Sequence, residues 1–261
     1  MQVLNHFGME VMLFMNITYA QHTDVGEREE NEDSIGCFYN EEKGYCFIVA
    51  DGLGGHGHGE EASKIVVDQF KKKFSEIKEK DEFFNEAFKS GQKELEELQD
   101  ERHTIMELKT TAVALTINEE EAHWAHIGDS RLYVFNKNKV VKRTLDHSVP
   151  QMLVFAGEIK ERHIRKHPDR NRLLKVLGAR DVELKFDTAE PMKLEECQAF
   201  LLCSDGFWEN ITERKMCRYL KKSKSVTEWM DLMKKEVIKK GMGDNMDNNS
   251  AIAVWVEEEE N

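Results

Sequence analysis

The sequence has few of the residues that cross-link or divide a chain. Only 3 of its 261 residues are proline, so no proline-rich linker separates domains. The 5 cysteines are odd in number and none forms a C-x-x-C pair, which argues against a disulfide framework and a zinc ribbon. We therefore predict a single domain covering residues 1–261, with reduced thiols in the cytoplasm.

Long hydrophobic runs and excess positive charge are also missing. The longest early apolar run, residues 11–15, is far too short to cross a bilayer, and no Lys or Arg precedes Arg28. We therefore expect neither a secretory signal nor a membrane partner. The chain has 37 Lys and Arg against 50 Asp and Glu, a formal net charge of −13. Because nucleic acids are bound by clustered basic side chains, this balance argues against a nucleic-acid partner.

The spacing of apolar residues predicts both strands and helices. Predicted strands cover residues 12–19, 45–50, 110–117, 122–127, 199–204 and 251–256. Apolar residues recur at helical spacing in three further stretches, residues 62–74, 83–98 and 226–237. Because strands and helices do not alternate strictly, the order favours an α+β fold over a doubly wound parallel sheet.

Three predicted strands run directly into an aspartate with a neighbouring glycine: Asp51, Asp129 and Asp205. A carboxylate at the end of a buried strand is costly unless it is paired or binds a metal. A single Asp-Gly pair is more often a hairpin turn, so each instance alone favours the turn. Three instances together favour a shared site.

Two acidic clusters precede other strands, at residues 31–33 and 244–250. Carboxylate oxygens without cysteine or a histidine pair suit hard divalent cations, Mg²⁺ or Mn²⁺. Asp247 is a better ligand candidate than Asp244, because it lies closer to the final strand. Taken alone, the second cluster would be interpreted as a polar loop.

The segment 52–57 offers an alternative, because it matches G-x-G-x-x-G between a strand and a helix, as in a nucleotide-binding oxidoreductase. Two features oppose that interpretation. Asp51 lies directly before the first glycine and would repel a pyrophosphate unless a metal lay between them. The acidic residue expected roughly 20 positions later should end a strand, whereas residues 64–77 have helical spacing.

Taken in order, these segments resemble the metal-dependent Ser/Thr protein phosphatases of the protein phosphatase type 2C family, particularly its compact bacterial members. The matching segments are Arg28 and residues 31–33, 49–56, 128–131, 146–148, 203–208 and 247–248. The resemblance implies a four-layer α-β-β-α sandwich, in which helices flank two antiparallel sheets and metals lie at one end. It also implies a flap over the site at about residues 149–172. The basic side chains of this flap are either solvated or contact the phosphoprotein.

Site roles follow from the same resemblance. It implies that Asp51 bridges two cations, that Asp205 and Asp247 complete the first site, and that the Gly52 carbonyl helps to hold the second. Glu32 and Asp33 are implied to hold the second cation or its waters. Asp129, with Glu209, is implied to hold a weaker third cation. Arg28 is implied to bind the substrate phosphate. The catalytic residues are thus expected to be Arg28, Asp51 and Asp205. Leu53 stands where eukaryotic members have a histidine acid, so the general acid stays unassigned.

The expected function is a metal-dependent phosphoprotein phosphatase. It would hydrolyse phosphoserine and phosphothreonine by direct attack of a metal-bridging hydroxide, using two Mn²⁺ or Mg²⁺ ions and a third at the weaker site. By family implication, its substrates include a Ser/Thr protein kinase, and we expect a monomer. The alternative is a catalytically silent pseudophosphatase acting as a binding module. The presence of Asp51, Asp205 and Asp247 argues against it.

Overall fold

The computed structural model describes residues 15–53, 58–77, 79–103 and 107–258. Its strands are β1 (Met15–Asp24), β2 (Asp33–Asn40), β3 (Gly44–Leu53), β4 (Lys109–Thr110), β5 (Ala112–Ile117), β6 (Glu121–Ile127), β7 (Arg131–Asn136), β8 (Lys139–Arg143), β9 (Asp187–Thr188), β10 (Met192–Lys193), β11 (Ala199–Cys203) and β12 (Asn249–Glu258). Its α-helices are α1 (His58–Glu76), α2 (Lys80–Arg102), α3 (Val149–Phe155), α4 (Asp205–Trp208), α5 (Glu213–Lys222) and α6 (Val226–Gly241). Two short 3₁₀ helices cover Glu161–Lys166 and Leu194–Glu196.

The strands form two antiparallel sheets. One has the order β1-β12-β11-β7-β8, and the other has the order β10-β6-β5-β3-β2, with β4 added to β3 and β9 added to β6. Antiparallel pairing brings the end of β3 beside the start of β2, where Asp51 lies opposite Asp33. The sheet register therefore places two of the predicted site residues next to each other.

Side chains alternate between two cores along each central strand. In β3, Phe47 and Val49 pack between the sheets, whereas Cys46, Ile48 and Ala50 pack under α1 and α2. The outer face of the other sheet is covered by the C-terminal helices α4, α5 and α6. Strands that are buried on both faces explain the continuous apolar runs of the sequence. The predicted α+β sandwich with outer helices is confirmed.

Some predicted boundaries differ from the structure. Strand β3 continues through Asp51 and Gly52 rather than ending before them. The strand predicted at 110–117 is interrupted at Thr111, because its hydroxyl, in place of a backbone carbonyl, accepts the Asp51 N–H at 3.2 Å. The strand predicted at 12–19 is β1 and extends to Asp24, and its first three residues lie outside the described part. No predicted element corresponds to β7, β8, α4 or α5, or to the two-residue strands β9 and β10.

No helix among the described residues has the length and apolar character needed to cross a bilayer.

Candidate active site

Carboxylates from distant parts of the chain meet in one cleft at the end of the sheets. Asp51 comes from β3, Asp129 from the β6–β7 turn, Asp205 from the start of α4, and Asp247 from the loop before β12. The cleft is also lined by Arg28, Glu32, Gly52, Leu53, Asn171, Leu173 and Asn248. All the predicted site residues line this cleft except two, Asp33 and Glu209. Asp33 is buried beside Asp51, and Glu209 is close enough for its charge to act on Asp205 and Asp129.

The backbone around Asp51 is fixed by hydrogen bonds from the neighbouring strand. Its carbonyl accepts from the Thr111 N–H at 2.8 Å and from the Thr110 hydroxyl at 2.9 Å. The next residue, Gly52, donates its N–H to the Glu32 carbonyl at 3.1 Å. A Cβ atom on Gly52 would lie 2.0 Å from the Gly59 carbonyl oxygen, so only glycine lets β3 pass this close to α1. Asp51 and Glu32 are therefore held beside the start of that helix.

Asp33 has one carboxylate oxygen satisfied and one unsatisfied. Its Oδ2 accepts a hydrogen bond from the Ser204 hydroxyl at 2.8 Å. Its Oδ1 is buried and has no hydrogen-bond partner among the described residues. Burial, followed by the charges of Asp205 and Asp247, raises the pKa of Asp33 to about 7. A buried carboxylate oxygen without a partner fits a bound cation or a coordinated water.

The charges of the cluster oppose one another. Burial and then the charge of Asp205 raise the pKa of Asp51 and of Asp129 well above the ordinary aspartate value. The pKa of Asp205 is raised to about 6 by burial and by Asp247, although Asp51 lies within hydrogen-bonding reach of it. Such mutual repulsion is relieved when divalent cations bind between the carboxylates. The donor set, all oxygen, fits Mg²⁺ or Mn²⁺.

The turn that carries Asp129 has a tightly determined backbone. Gly128 has φ +96°, and a Cβ atom there would lie 2.5 Å from the Thr111 side chain. The carbonyl of Asp129 accepts a hydrogen bond from the Trp208 indole at 3.0 Å. Beneath it, the buried Arg131 forms two hydrogen bonds with Asp146, at 2.8 and 2.6 Å, and stacks 3.4 Å from the Trp208 ring centre. This part of the matching motifs is a scaffold for the turn.

Arg28 lies at the exposed rim of the cleft. Its Nη2 atom lies 3.0 Å from Asp247 Oδ2, so the guanidinium is beside the carboxylate cluster. The Arg28 loop is fastened by a buried residue to which the sequence analysis assigned no role. Asn248 accepts the Glu32 N–H at 2.8 Å and donates to the carbonyls of Val25 and Glu30, both at 2.9 Å. Only its position directly after Asp247 could have suggested this role.

Glu209 is paired with a residue of the predicted flap. The side chain of Arg170 lies 2.8 Å from Glu209 Oε1, and burial raises the pKa of Glu209 to about 7. A second flap residue, Arg165, donates to the carbonyls of Trp208 and Ile211 at 3.0 and 3.1 Å. Two basic residues of the flap are therefore paired with residues of the domain and are not simply solvated.

The flap begins with the short helix α3. Helix α3 begins after Ser148, whose hydroxyl accepts the Gln151 N–H, and Gly157 follows with φ +75°. Ser148 also pairs with Leu173, which closes the base of the segment 149–172. The flap thus leaves and rejoins the domain beside the cleft.

Comparison with known proteins decides the family. A profile of the family described as Protein phosphatase 2C matches residues 20–247. The chain belongs to this family. The membership confirms the resemblance and the enzyme class, a protein Ser/Thr phosphatase. It gives no support to the oxidoreductase alternative, and residues 54–57 of that glycine segment lie outside the described residues.

The relatives are bacterial phosphatases of similar length. The chain is 30% identical over 231 residues to the serine/threonine phosphatase stp of Listeria innocua, which covers 86% of this chain and 91% of the relative. It is 31% identical over 198 residues to the protein phosphatase PhpP of Streptococcus pneumoniae, covering 73% and 78% of the two chains. The crystal structure of Stp1 from Staphylococcus aureus superposes with a TM-score of 0.84 at 29% identity, covering 96% of this chain and 99% of that one.

Proposed function

We propose that this phosphatase hydrolyses phosphoserine and phosphothreonine in proteins by direct attack of hydroxide on phosphorus at the carboxylate cluster. The observation that carries the proposal is the convergence of Asp51, Asp205 and Asp247 in one cleft, with Arg28 at its rim. These groups are separated by up to 219 residues in the chain. Their meeting is what a catalytic centre requires and what a silent binding module does not.

The residues that would hold divalent cations, Mn²⁺ or Mg²⁺, are those of the cluster. Asp51 would bridge two ions, with Asp205 and Asp247 at the first, and with the Gly52 carbonyl, Glu32 and Asp33 at the second. Asp129 would hold a weaker third ion. Divalent cations bound there would lower the pKa of a coordinated water and so supply hydroxide near neutral pH. The unsatisfied Asp33 Oδ1 and the mutual repulsion of the aspartates support this assignment.

Arg28 would bind the substrate phosphate. Its planar guanidinium presents paired N–H donors that match two phosphate oxygens. It lies at the rim of the cleft, where it offsets negative charge that develops on the equatorial oxygens. Its present partner, Asp247, shows that the side chain reaches the cluster.

Direct attack by hydroxide also agrees with the state of the cysteines. All five thiols are free, and burial raises the pKa of each one. The nucleophile of a cysteine phosphatase is a thiolate, which a raised pKa disfavours. A phosphocysteine intermediate therefore has no suitable residue among them.

The partners and setting of the enzyme follow as parts of the same proposal. Its substrates would be phosphoproteins, and by family implication a Ser/Thr protein kinase would be one of them. The free cysteines are typical of a reducing cytoplasm. We expect a monomer of one domain, which light scattering of the purified chain would test.

The proposal is tested by hydrolysis of a phosphothreonine peptide with Mn²⁺. We expect the chelator EDTA to abolish turnover, excess Mn²⁺ to restore it, and Asp205→Asn to lower kcat/KM by more than about 100-fold. Asp244→Asn is the matched control, because Asp244 is exposed and does not line the cleft. Full activity in chelator would refute the metal mechanism. Absence of turnover in a folded, Mn²⁺-loaded wild type would favour the pseudophosphatase.

A further inference from the structure

A histidine that has no role in the proposed catalysis forms two hydrogen bonds with the turn that carries Asp129. His147 donates its backbone N–H to the Gly128 carbonyl at 2.9 Å. In return, the Gly128 N–H donates to His147 Nδ1 at 3.2 Å. The two peptide groups that flank Gly128 are therefore both held by one residue. Because Gly128 has an unusual φ of +96°, these peptide groups determine where the next residue, Asp129, points.

The side chain of His147 is itself oriented from its other end. Since Nδ1 accepts a hydrogen bond, the proton of the neutral ring must be on Nε2. That atom lies 3.3 Å from Asp187 Oδ2, which can accept it. Burial is the main cause that lowers the pKa of His147 to about 4, so the ring is neutral at pH 7. The ring also stacks on His126, with centroids 4.7 Å apart.

These residue types could also suggest a metal site, since one ligand atom from each of His126, His147 and Asp187 lies within 4.8 Å of the others. The charge and the lone pairs argue against it. The Lys175 ammonium lies 3.3 Å from His147 Nε2 and 3.1 Å from Asp187 Oδ1, so a positive charge already occupies this position. The Nδ1 lone pair of His147 is directed at Gly128.

We propose that His147, oriented by Asp187, is a positioning residue that directs the Asp129 carboxylate into the cleft. The inference rests on the proposed function, in which Asp129 holds the weaker third cation. His147 acts through Gly128, as an outer partner orients a ligand in other metal sites.

The same residue also stands at the base of the flap. The His147 carbonyl accepts the Leu174 N–H at 2.8 Å, and the Val149 N–H donates to the Arg172 carbonyl at 2.9 Å. The two ends of the flap and the Asp129 turn thus form one hydrogen-bonded unit. The base of the flap therefore keeps the backbone of His147 in place, and loss of its side chain removes the hydrogen bond to the Gly128 N–H.

Two substitutions separate the Nδ1 hydrogen bond from the loss of a buried ring. The amide oxygen of His147→Asn can take the place of Nδ1 and accept from Gly128, whereas the longer His147→Gln places its amide near the Nε2 position. We would titrate the full-length, metal-free protein with Mn²⁺ by calorimetry. His147→Gln should weaken the weakest Mn²⁺ site by about three- to tenfold, the loss of roughly one net hydrogen bond. His147→Asn should restore most of that affinity, and the tighter sites should not change.

Asp187→Ala provides a variant that leaves the core intact, because Asp187 is 55% exposed. It should weaken the same site by about twofold, since it removes a partner of His147 and not the contact with Gly128. Glu183→Ala, another exposed acid of the same segment, is the control and should leave all sites unchanged. If His147→Gln does not fold, the Asp187→Ala comparison decides the question.

Asp129→Asn identifies the site in the same titration and should remove it. If Asp129→Asn removes the weak site while His147→Gln and Asp187→Ala bind Mn²⁺ as the wild type does, the positioning role is refuted and the proposed function stands. Equal weakening by His147→Asn and His147→Gln would also refute it, since the hydrogen bond would not matter. If Asp129→Asn leaves every site unchanged, the third-cation assignment fails and the inference fails with it.

Discussion

Asn248→Ala should lower both stability and activity, although Asn248 is not a proposed ligand of a cation or of the phosphate. Asn248 is 7% exposed, and its amide makes three hydrogen bonds to the backbone of the loop that carries Arg28 and Glu32. Alanine leaves one N–H and two carbonyl groups without these partners. The loop can then move relative to β12, and Arg28 moves with it.

The magnitude follows from the three bonds. Each net hydrogen bond contributes about 1 kcal/mol, so the free energy of unfolding should fall by about 3 kcal/mol. A catalytic group displaced by about 1 Å can cost about 100-fold in rate, so kcat/KM should fall by about 10- to 100-fold. We expect an increase in KM to contribute to this loss, because Arg28 would bind the phosphate.

Urea unfolding followed by tryptophan fluorescence would measure the stability, and phosphopeptide hydrolysis at saturating Mn²⁺ would measure the rate. Asn136→Ala is the control, since Asn136 makes one side-chain hydrogen bond, to Glu196, from the β7–β8 hairpin. It should cost at most about 1 kcal/mol and leave kcat/KM unchanged. An Asn248→Ala variant that loses stability and keeps wild-type kcat/KM would refute the idea that this loop must be held in place.

Three further predictions concern groups around the site. Asp146→Asn leaves Arg131 buried without the carboxylate that pairs with it, so the free energy of unfolding in urea should fall by about 3–5 kcal/mol. The exposed Asp169 is the control, and Asp169→Asn should cost less than about 1 kcal/mol; equal losses would contradict the prediction. Arg28→Lys replaces a fork by a point charge and should raise KM for phosphopeptide about tenfold, and an unchanged KM would remove Arg28 from the phosphate site. The pKa of His147 is lowered to about 4 against about 6.5 when unfolded, so the unfolded chain binds the proton more tightly. As the pH drops from about 6.5 to about 4, the free energy of unfolding of the wild type should therefore fall by up to about 3 kcal/mol more than that of His147→Asn. Urea unfolding midpoints that change in parallel with pH in the two proteins would contradict this.

The fold and the clustered carboxylates could be predicted from the sequence because both leave local patterns. Runs such as Phe47–Val49 lie in strands buried on both faces, so they are apolar without alternation, and an aspartate that follows such a run is conspicuous. The family resemblance then gave Asp51, Asp205 and Asp247 their expected roles as cation ligands. Their convergence in one cleft is a consequence of antiparallel register, which no single segment contains.

The residues that the sequence analysis missed act through contacts between segments far apart in the chain. Asn248 binds the backbone more than 215 positions away, and an asparagine in a run of polar residues looks like loop. His147 is similar, because its partners Gly128 and Asp187 lie on both sides of it in sequence. Helix α5 was missed because only Met216 and Leu220 are fully buried in it, which is too few apolar residues for a clear periodicity.

Two proposed cation ligands and the proposed phosphate ligand lie on different kinds of backbone. Asp33 and Asp51 lie on paired strands, where ladder hydrogen bonds fix the carboxylates against their mutual repulsion. Arg28 lies on an exposed loop whose carbonyls at Val25 and Glu30 accept hydrogen bonds from the side chain of Asn248. Cation ligands must hold a fixed geometry, whereas a phosphate ligand must admit and release a protein substrate. The paired strand ends of Asp33 and Asp51 would meet the first requirement, and the exposed Arg28 loop would meet the second.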